Sequence, residues 1–538
     1  MRPIVPFVRP RASQKEQASP GAQKAKSAPG GGGKRRAKCK PSASKKARTA
    51  AASVPKQRAP VSRQTPEEVE AAEVRCFDPM VGPSGLWPQS RPLAASPPPL
   101  ALEIARGEGL RQLRLRCADL VRGLPTGAGA LVGAFERWHF GWLLHASRAG
   151  GAGDPLLPGG AAGAPEPDAE LRAELEAAGC EPAAAAAVAA DLRRAAAEAA
   201  TAAAARAAAA SAEGGGEGGS GGEEDGVGLR EAEVGGGVWC VSLPPALLAP
   251  LPQELRKPLK ISDEWLSKLR EMHTATVAST APASAPASAS AASAAAAELR
   301  FRSDLARLLL RYKALGGSGF QAAIGGGAFA VLRASFGARL ECFASPLNAR
   351  SAPFCSAFPD VDAPFGSLGS FLEFEPEEGA YEANPPFVPL VLRAMCAHMH
   401  RLLDRAEASR RPLLFVVVVG ASSALKRHAA WEDLQGLAAG RHGRAQWLLP
   451  LHAHGYTEGH AHIAKGGARA ARRMSSCDTA VFVWASSAGA EQWPVTDGAE
   501  AALRAAMKAA IPRTLRKATK ANRHAHAAKK QARNHSSR

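Results

Sequence analysis

No Cys-x-x-Cys pair occurs anywhere in this 538-residue chain, and its nine cysteines are scattered. That excludes a cysteine-built zinc module and a disulfide framework, and it fits a reducing compartment. No apolar run is long enough to span a bilayer, and no segment suits a secretory signal. A soluble intracellular chain with no membrane partner is expected. No Gly-x-x-x-x-Gly-Lys-Ser/Thr loop is present either. Gly316-Gly-Ser-Gly319 follows a helical pattern instead of a strand, which removes a phosphate-loop reading. Acids are missing from both ends: Glu16 is the only one in residues 1–66, and residues 513–538 have none.

What is present is basic. The net charge of +19 and the pI near 9.9 point to a polyanionic partner such as nucleic acid, or to basic tails that carry the excess. Residues 1–99 are read as a disordered basic N-terminal region, because a Pro/Ala/Ser/Lys-rich segment buries too little apolar surface to offset its ordering entropy. Within it, Lys34-Arg-Arg-Ala-Lys-Cys-Lys40 and Lys45-Lys-Ala-Arg48 look like a nuclear address. An organelle transit peptide is the alternative, but no amphipathic helix supports it. Residues 513–538 are a second disordered basic tail.

Residues 100–315 read as a helical domain with Ala/Gly/Ser-rich insertions. Leu110, Leu113, Leu120, Leu131, Phe135, Trp138 and Trp142 recur at helical spacing, with a break at Gly123–Gly129. Asp168–Ala210 is Ala-rich and strongly helix-forming. Glu213–Gly228 reads as a linker, Ile261–His273 as a helix and Thr274–Ala297 as a low-complexity insert.

Residues 316–512 are different. Gly379–Glu382 is extended, Val388–Arg405 is apolar at helical spacing, and Leu413-Leu-Phe-Val-Val-Val-Val419 is a buried parallel strand by its β-branched run. That is a βαβ unit of an α/β fold, and such sheets bind ligands at the carboxyl ends of their strands. Asn384-Pro-Pro-Phe387 falls at such an end. The Asn384 side-chain carbonyl and the Pro385 backbone carbonyl can accept from the two N–H groups of an exocyclic amine and stabilise the charge that develops on it. Pro385 and Pro386 fix the backbone. Phe387 offers a face on which a base stacks, worth roughly 1–3 kcal/mol. Taken alone, the four residues also fit a plain turn at a strand end.

Further motifs surround them. Phe336-Gly-Ala-Arg-Leu-Glu-Cys-Phe-Ala-Ser-Pro-Leu-Asn348, Phe354-Cys-Ser-Ala-Phe-Pro-Asp360, Phe365-Gly-Ser367, Phe371-Leu-Glu-Phe374 and Tyr381-Glu-Ala-Asn-Pro-Pro-Phe387 stand in order. With Trp447-Leu-Leu-Pro450, Tyr456, Gly459, His462-Ile463 and Thr479-Ala-Val-Phe-Val483, they resemble the phosphorylated CTD-interacting factor 1 family over about residues 300–490. That family comprises cap-specific adenosine N6-methyltransferases. The resemblance implies a class I (Rossmann-like) methyltransferase domain using S-adenosyl-L-methionine on the first transcribed (2′-O-methyl)adenosine beside a 7-methylguanosine cap. A nucleus-located monomer acting on capped mRNA follows, with no metal. The WW module of vertebrate members is not recognisable here, which puts binding of the RNA polymerase II C-terminal domain in doubt.

The resemblance also implies site residues. The first strand is Arg339–Phe343, and Ala344, Ser345, Pro346 and Asn348 form the loop under the cofactor. Asp360, with Asp362 as the alternative, accepts from its ribose, Phe365 and Gly366 border its adenine, and Asn384 completes the set. Arg311, Lys313 and Arg350 are candidate phosphate contacts, and Tyr456 and His462 candidate cap contacts. Leu368 stands where relatives have a basic residue. The His452–His462 stretch has metal-ligand spacing, but His-x-His repeats are common and no spaced cysteines accompany them. Trp431 and Gly436–Arg444 read as a surface loop. Two other readings stay open: a methyltransferase acting on internal adenine or a protein amide, and a non-catalytic capped-RNA adaptor.

Overall fold

The protein is described by a computed structural model covering residues 97–122, 124, 133–148, 154–158, 165–213, 226–232, 237–249, 251, 253, 256–280, 291–316, 321–463 and 471–512. The expectations for residues 1–96 and 513–538, and most of those for Gly123–Gly129 and Glu213–Gly228, lie outside the described residues.

Helices dominate the first part of the chain. They are α1 (Leu100–Arg122), α2 (Ala134–Arg148), α3 (Pro165–Ala177) and α4 (Pro182–Glu213). Between α4 and the next helix lie three short antiparallel strands, β1 (Gly228–Glu231), β2 (Val238–Ser242) and β3 (Leu259–Ser262). This small sheet was not foreseen, and Ile261 belongs to β3 instead of opening a helix. Helix α5 (Asp263–Thr280) follows, then α6 (Ala291–Leu315). Both ends of the Thr274–Ala297 insert are therefore helical, in keeping with alanine's propensity.

Next come α7 (Gly326–Phe336), β4 (Leu340–Glu341), β5 (Gly379–Ala383), α8 (Pro389–Ala408), β6 (Leu413–Ala421), α9 (Ala429–Ala439), β7 (Gly443–Leu449), β8 (Gly455–Thr457), β9 (Arg472–Met474), β10 (Asp478–Ala485) and α10 (Asp497–Ala509). Trp431 and Gly436 lie in α9, not in a surface loop. The cause is packing: the Trp431 ring meets Phe482 edge-on at 6.1 Å, and Leu434 is buried. The five-stranded sheet has the order β4-β5-β6-β10-β7. β4, β5 and β6 are parallel, and β10 runs antiparallel to both its neighbours. The chain thus has a mixed α/β architecture.

The unbroken apolar run of β6 is explained by its two covered faces. Leu413, Phe415, Val417 and Val419 pack with Met395, Met399 and Leu402 of α8. Leu414, Val416 and Val418 pack on the other side with Leu332 and Phe336 of α7 and Leu503 and Met507 of α10. Each such side chain contributes roughly 1.5–3 kcal/mol on burial. β6 is the rigid centre against which the neighbouring strand ends are fixed.

Candidate active site

Strand β5 delivers Asn384 to the carboxyl edge of the sheet, where parallel strands β4 and β6 flank it. The Asn384 side-chain amide donates to the Ala322 carbonyl at 3.1 Å. Its Oδ1 is buried and has no partner among the described residues. A buried acceptor without a donor costs about 1–3 kcal/mol, so this geometry retains an unfilled demand for an N–H. Pro386 accepts from the Val388 N–H at 2.7 Å, which closes the turn into α8. Pro385 is buried and Phe387 half-buried. The Phe387 ring lies directly over the backbone of β6: a Cβ placed on Gly420 would stand 2.5 Å from its Cε2 and 2.7 Å from its Cδ2.

Two carboxyls lie beneath. Glu341 and Glu382 are register partners on β4 and β5, 4% and 2% exposed. Burial raises both above the ordinary carboxylate range, Glu382 strongly, and the proximity of Glu341 raises Glu382 further. Glu341 accepts the Arg350 N–H at 2.5 Å, whereas Oε1 of Glu382 has no partner among the described residues.

The loop after β4 is self-contained. Ser345 donates through its N–H and its hydroxyl to Asn348 Oδ1, at 2.7 and 3.0 Å, and Asn348 donates to the Gln321 carbonyl at 3.2 Å. Gln321 and Ala322 thereby fasten the Asn348 and Asn384 side chains to a single segment. That segment pairs with β8 through Ala323 and Thr457, with N–H···O distances of 3.0 and 2.9 Å. Pro346 is buried and Ala344 half-buried in the same loop.

Helix α5 holds this loop from behind. Trp265 donates to the Leu347 carbonyl and Lys268 to the Ala349 carbonyl, each at 2.7 Å. Sequence reasoning missed both, because partners about 80 residues apart leave no local pattern. Lys268→Met keeps the stem but removes the donor, so hydrogen exchange at Leu347–Arg350 is expected to speed up roughly tenfold. Unchanged exchange there would show that the bond holds nothing in place.

Other candidates are placed differently. Arg311 is fully buried, bonded to Glu103 at 2.8 and 2.7 Å and to Asp360 at 3.0 and 2.8 Å. Burial alone would lower its pKa, but the two carboxylates hold it above its ordinary range. A phosphate contact would require it to abandon both, and losing a partner in such a pair costs about 3–5 kcal/mol. Asp360 is therefore engaged with Arg311 and braces α6 and α1 against the loop. Phe365 sits in the core, 5.6 Å from the His273 ring, and Gly366 (φ +94°) closes the turn after it. Neither Phe365 nor Arg311 has surface to offer a ligand. Arg350 is buried beside Glu341, while the Lys313 side chain lies at the surface, its pKa lowered by partial burial of its amine and, less, by nearby Lys257.

Tyr456 and His462 lie in the β8 region, near the Gln321 segment. The Tyr456 hydroxyl is 2.6 Å from Thr479 Oγ1, to which His454 also bonds at 2.7 Å. His462 is buried and pushed down to about 4, so it is neutral near pH 7. A Cβ on Gly459 would come within 2.3 Å of Gln321 Cβ, which places this turn against the same segment. The structure thus brings Ser345, Asn348, Asn384, Phe387 and the β8 turn together. It places Arg311, Asp360 and Phe365 in the neighbouring core.

This is an α/β domain of the kind that gathers its polar groups at the carboxyl edge of a partly parallel sheet. Residues 269–459, from α5 to just past β8, match the family described as "Phosphorylated CTD interacting factor 1 WW domain". Over that span the chain is similar to this family, in line with the resemblance of its motifs. The match falls on the helix–sheet part of the chain. A human protein named mRNA (2′-O-methyladenosine-N(6)-)-methyltransferase is 41% identical over 149 residues, 28% of this chain and 20% of that protein. The mouse protein of the same name is 40% identical over 149 residues, with the same coverage. The matched stretch is thus about a fifth of the length of these curated relatives.

Proposed function

We propose that this chain is an S-adenosyl-L-methionine-dependent methyltransferase acting on N6 of the first transcribed (2′-O-methyl)adenosine, next to the 7-methylguanosine cap of mRNA. The observation that carries the reading is the buried Oδ1 of Asn384, without a partner among the described residues and held in place by its own amide on Ala322. An aminopurine stacked on Phe387 would present its N–H groups to Asn384 Oδ1 and to the Pro385 carbonyl. These acceptors favour a pyramidal nitrogen and stabilise the positive charge it acquires, and no side chain there has to act as a base. The names of the human and mouse relatives point the same way.

The order β4-β5-β6-β10-β7, with one reversed strand next to the edge, supports a class I methyltransferase fold. The donor set suits the cofactor: Oε1 of Glu382, without a partner among the described residues, and the loop 344–348 line the carboxyl edge of β4 and β5, where a cation and hydroxyl donors find acceptors. When bound, S-adenosyl-L-methionine would supply the methyl group. Ser345, Asn348 and Asn384 would orient it, and Trp265 and Lys268 would keep their loop in position. Lys313 and the Tyr456–His462 turn are the proposed contacts to capped RNA.

Mass spectrometry of cap dinucleotides, after incubating the purified protein with cofactor and capped RNA, tests the reading. N6-methylated cap-adjacent adenosine is the expected product. Methylation confined to internal adenine, DNA or a protein amide would replace it, and failure to bind the cofactor by calorimetry would favour an adaptor. We further propose that the basic runs at Lys34–Lys40 and Lys45–Arg48 direct the chain to the nucleus, and that residues 513–538 hold RNA through phosphate charge alone. Deleting that tail is expected to weaken RNA binding and flatten its salt dependence without moving the methylated position. A changed position would mean that the tail selects the base. The family's description joins it to a phosphorylated C-terminal domain, a contact that pull-down with a phosphorylated heptad peptide tests.

A further inference from the structure

The last turns of α8 and the bend before β7 lie at the amino edge of the sheet, since α8 runs away from Asn384 and β7 is parallel to β6. Three side chains meet there. His400 and Asp404 are four residues apart and share one face of α8. His400 Nε2 is 3.7 Å from Asp404 Oδ1, and His442 Nε2 is 2.7 Å from the same oxygen. The three potential ligand atoms all lie within 4.8 Å of one another. Among the described residues this is the one convergence of three such groups; the histidines of 452–462 do not form one.

The anchoring is uneven. His442 is 2% exposed, which fixes one ligand in the wall, whereas the His400 and Asp404 side chains are 57% and 41% exposed. Two ligands can therefore turn a few tenths of an ångström toward a common point, and solvent reaches the remaining positions. A cation already visits this place. The Arg441 guanidinium donates to Asp404 Oδ1 at 2.6 Å, and its Nε lies 3.2 Å from His442 Nε2. Arg441 is 64% exposed, and an exposed ion pair of this kind is displaced at little cost.

We propose that His400, Asp404 and His442 form a binding site for a divalent transition-metal ion of the zinc class, for which Arg441 competes. Two imidazoles and one carboxylate are a ligand set that zinc accepts, with bonds of about 2.0–2.2 Å and the fourth position left to water. Bound there, the ion would tie the end of α8 to the start of β7, and so fix the amino edge of the sheet. The site is separate from the methyl-transfer reading and stands or falls without it.

Calorimetric titration of Zn²⁺ into the full chain, made without a polyhistidine tag and freed of metal by chelation, decides the matter. Wild type is expected to take up one tight equivalent that His400→Ala weakens by about tenfold or more. His400 is exposed, so this variant keeps its fold. Arg441→Ala removes the competitor and is expected to tighten the same equivalent severalfold, an effect that scattered surface histidines would not produce. Binding in His400→Ala that equals wild type, weaker binding in Arg441→Ala, or no Zn²⁺ uptake by wild type would each overturn the proposal. Cobalt(II) substitution gives a second readout: an intense visible absorption in wild type that is lost in His400→Ala.

Discussion

Asn384→Ala is expected to lower the methyl-transfer rate by at least about a hundredfold while the protein still folds and still binds capped RNA. The magnitude follows from removing one preorganised partner of a charge that exists only in the transition state, typically worth 10²–10³ in rate. Stability should hardly change, because two effects oppose each other. The substitution strands the Ala322 carbonyl, which now receives an N–H at 3.1 Å, at a cost of about 0.5–1.5 kcal/mol. It also removes a buried oxygen that has no donor, which relieves a similar amount. Urea denaturation should therefore give a midpoint close to wild type. A wild-type rate in this variant would remove Asn384 from the chemistry and leave Asn-Pro-Pro-Phe as a turn.

The elements around Asn384 were legible because they are local: a five-residue strand before it, a helix after it, and a β-branched run that had to be buried on two faces. Periodicity reports such elements directly. The loop from Ala344 to Asn348 was legible through family likeness alone, and its internal bonds explain why composition gave no hint. Ser345 and Asn348 satisfy each other, so the pair carries no excess polarity.

The rest was hidden for reasons of distance or balance. Arg311 stands in a Leu-rich helical run and was read as a candidate phosphate contact, yet Glu103, more than 200 residues earlier, draws it inside. Neither residue advertises its partner. The Trp265 and Lys268 supports are long-range bonds to backbone carbonyls, and any loop could receive those. Trp431 and Gly436–Arg444 were taken for a surface loop because the latter segment is rich in glycine and arginine. Trp431 and Leu434 overrode that propensity by packing on the sheet.

Gly420→Ala is the second substitution expected to act strongly, and it acts without touching the polar notch. The added methyl carbon would sit 2.5 Å from Phe387 Cε2 and 3.3 Å from Cys477 Sγ, where carbon atoms prefer about 3.5–4.0 Å. The backbone of β6 is held there, since Gly420 is paired with Thr479 of β10 one residue before the end of a fully buried strand. The half-buried Phe387 ring must move instead, by roughly 1 Å, toward the space where a base would stack. A displacement of that size at a reacting centre costs about 10²-fold in rate, while overpacking at one site destabilises by about 1–3 kcal/mol. The expected outcome is a large loss of turnover in a folded protein whose cofactor affinity is little altered. If the effect runs through the ring, then Gly420→Ala should cost almost nothing further in a Phe387→Ala background, because contacting residues are non-additive. Fully additive losses in the double variant would show that Gly420 works through something other than Phe387. The aromatic platform would then have no fixed seat on β6.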